Sequence, residues 1–208
     1  MHSYYSNKSQ SVNNSNYTIM VAEVASTVNE IILAENILKK EKDIEKRKNI
    51  ISELIGTITS TLVRQSMFAE FERKIHDRIF MEVPTVYTDV TNEYEELLKK
   101  YFANITIDEK HKYEWLRIPH FYRPFYVYVY ATGYSTAVAI SEGILHGGKE
   151  RVQKYLEFLS MGSSAYPIDE LKHAGVDLTT PEPIDIALEK FAKILDDAEE
   201  TFTKLQQK

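Results

Sequence analysis

The sequence contains no cysteine among its 208 residues. Disulfide bonds, thiolate metal sites and a cysteine nucleophile are therefore excluded, and a reducing cytoplasm is the expected location. Lysine and arginine number 25 against 31 aspartates and glutamates, which gives a net charge of −6. Because nucleic-acid surfaces need clustered basic residues, we expect no nucleic-acid partner.

Long apolar runs are also missing. The longest uncharged stretch, residues 124–141, reads PFYVYVYATGYSTAVAIS and is short for a membrane span. It carries four tyrosines together with serine and threonine, a composition that favours a buried helix. The polar start MHSYYSNKSQSVNNSN has no apolar centre and indicates no signal peptide. We therefore expect no membrane partner.

Several catalytic motifs have no counterpart in the sequence. It contains no H-E-x-x-H zinc motif, no glycine-rich phosphate loop, no G-x-S-x-G nucleophile elbow and no EF-hand loop. Four of the six histidines lie in charged or helix-end positions that are typical of solvated residues, namely His76, His111, His146 and His173. Candidate sites must then come from weaker patterns of residue type and spacing.

The apolar spacing is helical along most of the chain. Residues 1–16 are polar and are predicted to form a loop, with Asn16 as the N-cap of the first helix. Helices are predicted over 17–40, 43–83, 91–102, 124–146, 150–161, a short segment ending near 174, and 183–205. No repeat or linker interrupts the pattern, so we predict a single all-α domain over residues 1–208, folded as a multi-helix bundle.

The stretch 125–130, FYVYVY, is open to two interpretations. Its alternation and its β-branched and aromatic residues favour a strand. The apolar run continues to Ile140, well past the usual length of a strand, and Pro124 suits the first position of a helix. We predict the helix.

Two glutamates occur in the apolar helix predicted near the start of the chain. Glu23 and Glu30 are seven residues apart, so two helical turns place both carboxylates on the same side. A carboxylate in apolar surroundings needs a partner, and three are open: a metal ion, an arginine or lysine, or a histidine. The alternative is a buried ion pair, or a glutamate at the edge between two helices.

A second candidate is the stretch 117–130, RIPHFYRPFYVYVY. It places His120 beside a row of tyrosines, and both residue types donate hydrogen bonds to a developing oxyanion without carrying a charge. The alternative is aromatic packing, with the hydroxyl groups reaching water or the backbone.

Four separated blocks of the sequence resemble the oligoendopeptidase F family of zinc metallopeptidases, which are relatives of thimet oligopeptidase. The blocks are MHSYYSNKSQ…NYTIMVAEVASTVNE at the start, RQSMFAEFE at 64–72, IPHFYRPFYVYVYATGYSTAVAIS at 118–141 and FLSMGSSAYPIDELKHAGVDL at 158–178. The resemblance covers nearly the whole chain. It implies the C-terminal portion of a helical, zincin-like catalytic domain that uses zinc to hydrolyse short peptides.

The resemblance also implies roles for the candidate residues. In this family H-E-x-x-H supplies two histidine ligands and a general base, and a glutamate of a following helix is the third protein ligand. Glu23 occupies that ligand position, and Glu30 matches a glutamate that orients a ligand histidine. His120 and nearby tyrosines would stabilise the oxyanion and hold the peptide backbone. The first choice among them is Tyr122 and Tyr128, and the second is Tyr126 and Tyr130.

The sequence departs from the family where the zinc helix is expected, just before Met1. Both histidine ligands and the general base are missing, and His2 is expected beyond the ligand pair. One carboxylate cannot form a tetrahedral zinc site, so we expect weak or absent zinc binding and no peptidase activity from this chain alone.

Three interpretations follow from that departure. In the first, the chain is part of a peptidase and needs the missing N-terminal part as its partner. In the second, it is a non-catalytic helical module that binds a peptide or a partner protein. In the third, it forms a homo-oligomer that covers exposed apolar surface.

Overall fold

Helices account for all the regular secondary structure of the computed structural model, which describes residues 1–207. The all-α prediction is therefore confirmed, and none of the helices within these residues is long and apolar enough to cross a membrane. The α-helices are α1 (His2–Ser9), α2 (Ile19–Lys40), α3 (Ile44–Ile58), α4 (Arg64–Phe80), α5 (Tyr87–Tyr101), α6 (Tyr128–His146), α7 (Gly148–Phe158), α8 (Pro167–His173) and α9 (Glu182–Gln206). A π-helical turn, Thr59–Val63, links α3 to α4, and 3₁₀ segments span Glu109–Arg117 and Pro119–Tyr122.

Contacts within the chain divide it into two compact units. The first unit comprises Met1–Ile58 and the residues from Thr132 onward, and the second comprises Thr59–Ala131. The single domain over residues 1–208 stays a prediction.

The first unit is built on α2, which contacts α3 and α8. The buried side of α2 follows the helical period and carries Val21, Val24, Ala25, Val28 and Ile31. Tyr155 of α7 donates a hydrogen bond to the Ala25 carbonyl at 3.1 Å. Helix α3 lies along α9, where Arg47 donates to both carboxylate oxygens of Asp197 at 2.9 and 2.8 Å. Apolar burial and a bidentate ion pair together stabilise this unit.

The start of the chain differs from the predicted loop, because His2–Ser9 form α1. This helix is polar, and its buried Ser6 donates a hydrogen bond to the Ser15 carbonyl. The ring of His2 stacks on Tyr17 with centroids 3.7 Å apart, and burial, followed by the charge of the N-terminal amine, lowers the pKa of His2 to about 4. A helix held by polar contacts and one stacked ring has no apolar period, which is why the sequence pattern missed it.

Other boundaries also differ from the prediction, among them the start of α5, which lies at Tyr87 and not at residue 91. Thr18 is the N-cap residue of α2, so the assignment of that role to Asn16 is wrong. The helix predicted over 43–83 is observed as α3, the π-helical turn and α4. The sequence pattern missed the turn because insertion of one residue into the helical repeat leaves the apolar spacing nearly unchanged.

The second unit is centred on α4 and α5, which contact each other. Its apolar core consists of Met67, Phe68, Phe71, Tyr94, Leu97, Leu98, Ile118 and Val127. Beside this core, buried Glu114 accepts a hydrogen bond from the Tyr94 hydroxyl at 3.0 Å and pairs with Arg64 and Arg117. Burial, and after it the charge of Glu114, raises the pKa of Tyr94. The phenol therefore stays protonated as a donor, and the buried carboxylate is fully partnered.

Helix α6 begins at Tyr128, so the predicted start at Pro124 is wrong. Phe125 lies in the left-handed region with φ 55°, a conformation that bulky residues rarely adopt and that ends any helix. Its backbone N–H donates a hydrogen bond to Oε1 of Glu72 at 2.8 Å. This charge-assisted bond offsets the backbone strain, which costs about 1–3 kcal/mol. The helical interpretation of FYVYVY holds from Tyr128 onward, and the stretch contains no strand.

Replacement of Glu114 by alanine should lower the free energy of unfolding by about 2–4 kcal/mol, because it leaves the Tyr94 hydroxyl and Arg64 without their acceptor. Urea denaturation followed by circular dichroism measures the change. The matched control is Glu109→Ala, because the Glu109 side chain is 83% exposed in its pair with Lys112. That variant should change stability by less than about 0.5 kcal/mol. Equal losses in the two variants would contradict a special role for the buried carboxylate.

Candidate functional site

Glu23 and Glu30 lie on the exposed side of α2, opposite its buried residues. The prediction that they share one side is therefore confirmed, but both residues are exposed and not buried, although Glu30 has mainly aliphatic neighbours. Neither carboxylate forms a hydrogen bond or an ion pair with another of residues 1–207, so the alternative of a buried ion pair is wrong as well. Both carboxylates are free to meet a partner from outside these residues.

Glu30 lines a cavity of about 330 Å³ within the first unit. The cavity is mainly aliphatic, with a second carboxylate from Glu53 and the phenol of Tyr134. Burial, and after it the negative charge of Glu30, raises the pKa of Tyr134 to about 12. The Tyr134 hydroxyl is therefore protonated at neutral pH, and the Glu30 charge reaches into the cavity.

The second unit brings His120 together with Tyr126 and Tyr130. The His120 ring lies 5.4 Å from the Tyr130 ring at an angle of 85°, and 6.4 Å from the nearly parallel ring of Tyr126. The two tyrosine rings are 5.6 Å apart and perpendicular, and the Tyr130 hydroxyl is 3.4 Å from Nε2 of His120. The guanidinium of Arg123 lies over the Tyr126 ring at 4.4 Å. This arrangement, named here the His120 cluster, groups two phenol rings around one imidazole, with the hydroxyl of one phenol next to the imidazole nitrogen.

The other two candidate tyrosines lie outside this cluster and are exposed. Tyr122 is 81% exposed and lies on the edge of a separate cavity beside Phe121 and Trp115. Tyr128, the first residue of α6, is 49% exposed. Within the second unit the geometry therefore favours Tyr126 and Tyr130, the second choice from the sequence, over Tyr122 and Tyr128.

Glu72 is a residue that the sequence pattern did not single out. It is 5% exposed, and its Oε1 holds the Phe125 N–H that fixes the turn into α6. Through that turn it sets the direction in which Tyr126 and Tyr130 leave the backbone. The available signal was a glutamate at an apolar position of α4, one residue after Phe71 and four after Phe68.

Zinc needs more ligands than the described residues bring together. No group of three or more histidine, aspartate and glutamate side chains within residues 1–207 is placed to hold a metal ion. A catalytic zinc takes three protein ligands and leaves one position for water. The exposed and unpaired carboxylate of Glu23 fits one of those ligands, so this part of the chain fits zinc as a contributor and not as a complete site.

Comparisons with known proteins agree on one family. The model of peptidase family M3 matches residues 1–190. The chain is 48% identical to the oligopeptidase PepF of Bacillus subtilis over 208 residues, which are 100% of this chain and 31% of that protein. It is 46% identical to an oligoendopeptidase F homolog of Borreliella burgdorferi, over 97% of this chain and 34% of that protein.

A solved structure gives the same result. The crystal structure of oligoendopeptidase-F from Enterococcus faecium matches with a TM-score of 0.88 and 37% identity, over 98% of this chain and 37% of that one. The chain thus spans about a third of the length of the relatives that it matches.

Replacement of Glu30 by glutamine should lower the pKa of Tyr134 while leaving it above 10, because burial remains after the negative charge is removed. NMR titration with ¹³C-labelled tyrosine measures the shift. Because folding raises the pKa of Tyr134, its protonated hydroxyl stabilises the fold. This contribution is complete below pH 10 and is lost as the pH rises towards 12. Glu30→Gln should therefore make the loss complete at a lower pH. The matched control Glu23→Gln should leave Tyr134 unchanged. An equal shift in both variants would rule out a specific link between Glu30 and the cavity.

Proposed function

We propose that this chain, which belongs to peptidase family M3, is the C-terminal portion of a zinc metalloendopeptidase that hydrolyses short peptides. The observation that carries the proposal is the match of the family model across residues 1–190, with relatives at 48% and 46% identity along nearly the whole chain. The free carboxylate on α2 and the His120 cluster are the groups of this chain with chemistry suited to that reaction.

Glu23 is assigned as one oxygen ligand of the zinc. Its exposure and its lack of a partner among residues 1–207 support this role, because a ligand carboxylate has to be available to the ion. The histidine ligands and the general base are assigned to a part of the longer peptidase outside these residues. Glu30, two turns further along the same side of α2, is assigned to accept the N–H of a ligand histidine and so to fix its tautomer.

The His120 cluster is assigned to the substrate. When bound, zinc lowers the pKa of its water to about 7 and polarises the scissile carbonyl. The chain contributes neutral donors to the oxygen on which negative charge develops, and each such donor is typically worth about 3–4 kcal/mol. Tyr130 is the preferred donor, because its hydroxyl lies 3.4 Å from His120 Nε2 and is oriented by it. Tyr126 lies perpendicular to Tyr130 and is assigned to hold the peptide backbone.

The chain by itself is proposed to be inactive and to bind zinc weakly, since one carboxylate does not complete a tetrahedral site. A cytoplasmic location belongs to the same proposal and is supported by the lack of cysteine. The non-catalytic binding module and the homo-oligomer remain as the outcomes that the next experiment distinguishes.

Co-expression of this chain with an upstream segment of a full-length relative that carries H-E-x-x-H should give a stable complex that holds about one zinc and cleaves a fluorogenic peptide. The chain alone should hold far less zinc and cleave none. Glu23→Gln should remove most of the zinc, as measured by mass spectrometry of the metal content, because it replaces an anionic ligand by a neutral amide. The control Glu45→Gln, a surface residue paired with Lys48, should leave both zinc and cleavage intact.

Two results would refute this assignment: chelator-sensitive cleavage by the chain alone, or full zinc content in the Glu23→Gln complex. A failure of the two parts to associate would favour the binding module, and self-association measured by sedimentation would favour the homo-oligomer.

Replacement of Tyr130 by phenylalanine in the active complex should lower kcat by about 100- to 1000-fold with little change in KM, because the hydroxyl acts on the developing oxyanion. Tyr122→Phe and Tyr128→Phe remove the same atom from exposed rings and should each change kcat by less than about threefold. Steady-state kinetics with one fluorogenic peptide gives all three values. A loss in Tyr122→Phe or Tyr128→Phe as large as that in Tyr130→Phe would show that the choice of tyrosine is wrong.

A further inference from the structure

A cavity of about 300 Å³ lies within the second unit, between α4, α5 and the 3₁₀ segments. Its walls are aromatic and aliphatic, and they include Phe71, Trp115, Phe121, Ile75 and Val90. The ring of Phe71 lies 6.5 Å from that of Trp115 and 5.2 Å from that of Phe121. A space of this size and lining suits a small apolar group such as one large side chain.

Glu72 is the unusual component of this cavity. It lines the space, it is 5% exposed, and its Oε1 accepts the hydrogen bond of the Phe125 N–H at 2.8 Å. Its second oxygen, Oε2, accepts no hydrogen bond from any of residues 1–207. This oxygen is not sealed from solvent. Because Glu72 lines the cavity, a donor or a cation that enters it can meet the carboxylate.

The polar groups next to Glu72 do not supply that donor. The indole N–H of Trp115 is already donated to Oγ1 of Thr91 at 3.2 Å. His76, one helical turn after Glu72, also lines the cavity. Its ring lies 4.7 Å from the Phe125 ring, and no hydrogen bond or ion pair joins it to Glu72 within residues 1–207. The carboxylate oxygen is therefore left for a ligand.

We propose that this cavity binds a primary ammonium group that carries an apolar side chain, as found at the N-terminus of a peptide whose first residue is apolar. The ammonium donates to Oε2 of Glu72, and the apolar group occupies the aromatic walls, which also attract a cation through their π-faces. The choice of a peptide rests on the proposed peptidase function. The binding itself needs neither zinc nor cleavage.

Trp115 gives a direct signal for this binding, because it lines the cavity and is the single tryptophan of the chain. The 208-residue chain is titrated with L-phenylalaninamide at about pH 6, where an α-amine is protonated. N-acetyl-L-phenylalaninamide, which has the same side chain but no ammonium, is the matched ligand. We expect a saturable change in Trp115 fluorescence with the first compound, and at least about tenfold weaker binding of the second.

Matched variants test whether the carboxylate charge of Glu72 is responsible for the binding. Glu72→Gln keeps an oxygen for the Phe125 N–H, and it should weaken binding of L-phenylalaninamide at least about tenfold while leaving the acetylated compound unaffected. Asp77→Asn changes a carboxylate on the same helix that pairs with Arg73 and does not line the cavity, so it should bind like the original chain. Val90→Phe, which fills the cavity, should abolish the signal from L-phenylalaninamide.

Far-UV circular dichroism first confirms that each variant is folded. Equal affinity for the two compounds, unchanged affinity in folded Glu72→Gln, or no saturable signal from the folded chain would each overturn the proposal. Because no cleavage is measured, any of these results leaves the proposed zinc site intact. In the same way, failure of the co-expressed complex to cleave peptide leaves the proposed ammonium site at Glu72 intact.

Discussion

The hydrogen bond from the Phe125 N–H to the Glu72 carboxylate is the contact on which the candidate substrate segment depends. It holds a phenylalanine at φ 55° and so prevents α6 from starting before Tyr128. Tyr126 therefore precedes the helix, and Tyr130 lies in its first turn. Their rings meet at 90° beside His120.

In the first unit, helix α2 separates its apolar residues from its carboxylates. The buried side of α2 is wholly aliphatic, and its two carboxylates of interest stand on the opposite, exposed side. A lone carboxylate holds zinc weakly, because the ion needs several ligands in a fixed geometry to repay its loss of water. The proposed metal site therefore takes its other ligands from outside these residues, and the chain spans about a third of the length of the relatives that it matches.

The sequence predicts most of the helices because their apolar residues repeat with the helical period. It fails where tertiary contacts decide the local structure: α1 is held by polar contacts, and the start of α6 is moved by Glu72, which lies 53 residues away in the chain. Spacing alone places Glu23 and Glu30 on one side of α2. It does not reveal which side, because two acidic residues in an apolar stretch leave the buried stripe ambiguous.

Sequence-based prediction also fails for single side chains, as the tyrosines show. Tyr122, Tyr126, Tyr128 and Tyr130 follow one another closely in the sequence, and the structure shows that the rings near His120 are those of Tyr126 and Tyr130. Glu72 lies in the block RQSMFAEFE that carries part of the family resemblance. Its partner is a backbone N–H, however, and a backbone group leaves no signature in the sequence.

Anomalous diffraction at the zinc edge, from crystals of the complex between this chain and an upstream H-E-x-x-H segment, tests the central claim most directly. The role assigned to Glu23 predicts a zinc ion with one of its carboxylate oxygens at about 2.0–2.2 Å. A fully occupied zinc with Glu23 outside its coordination sphere would contradict it.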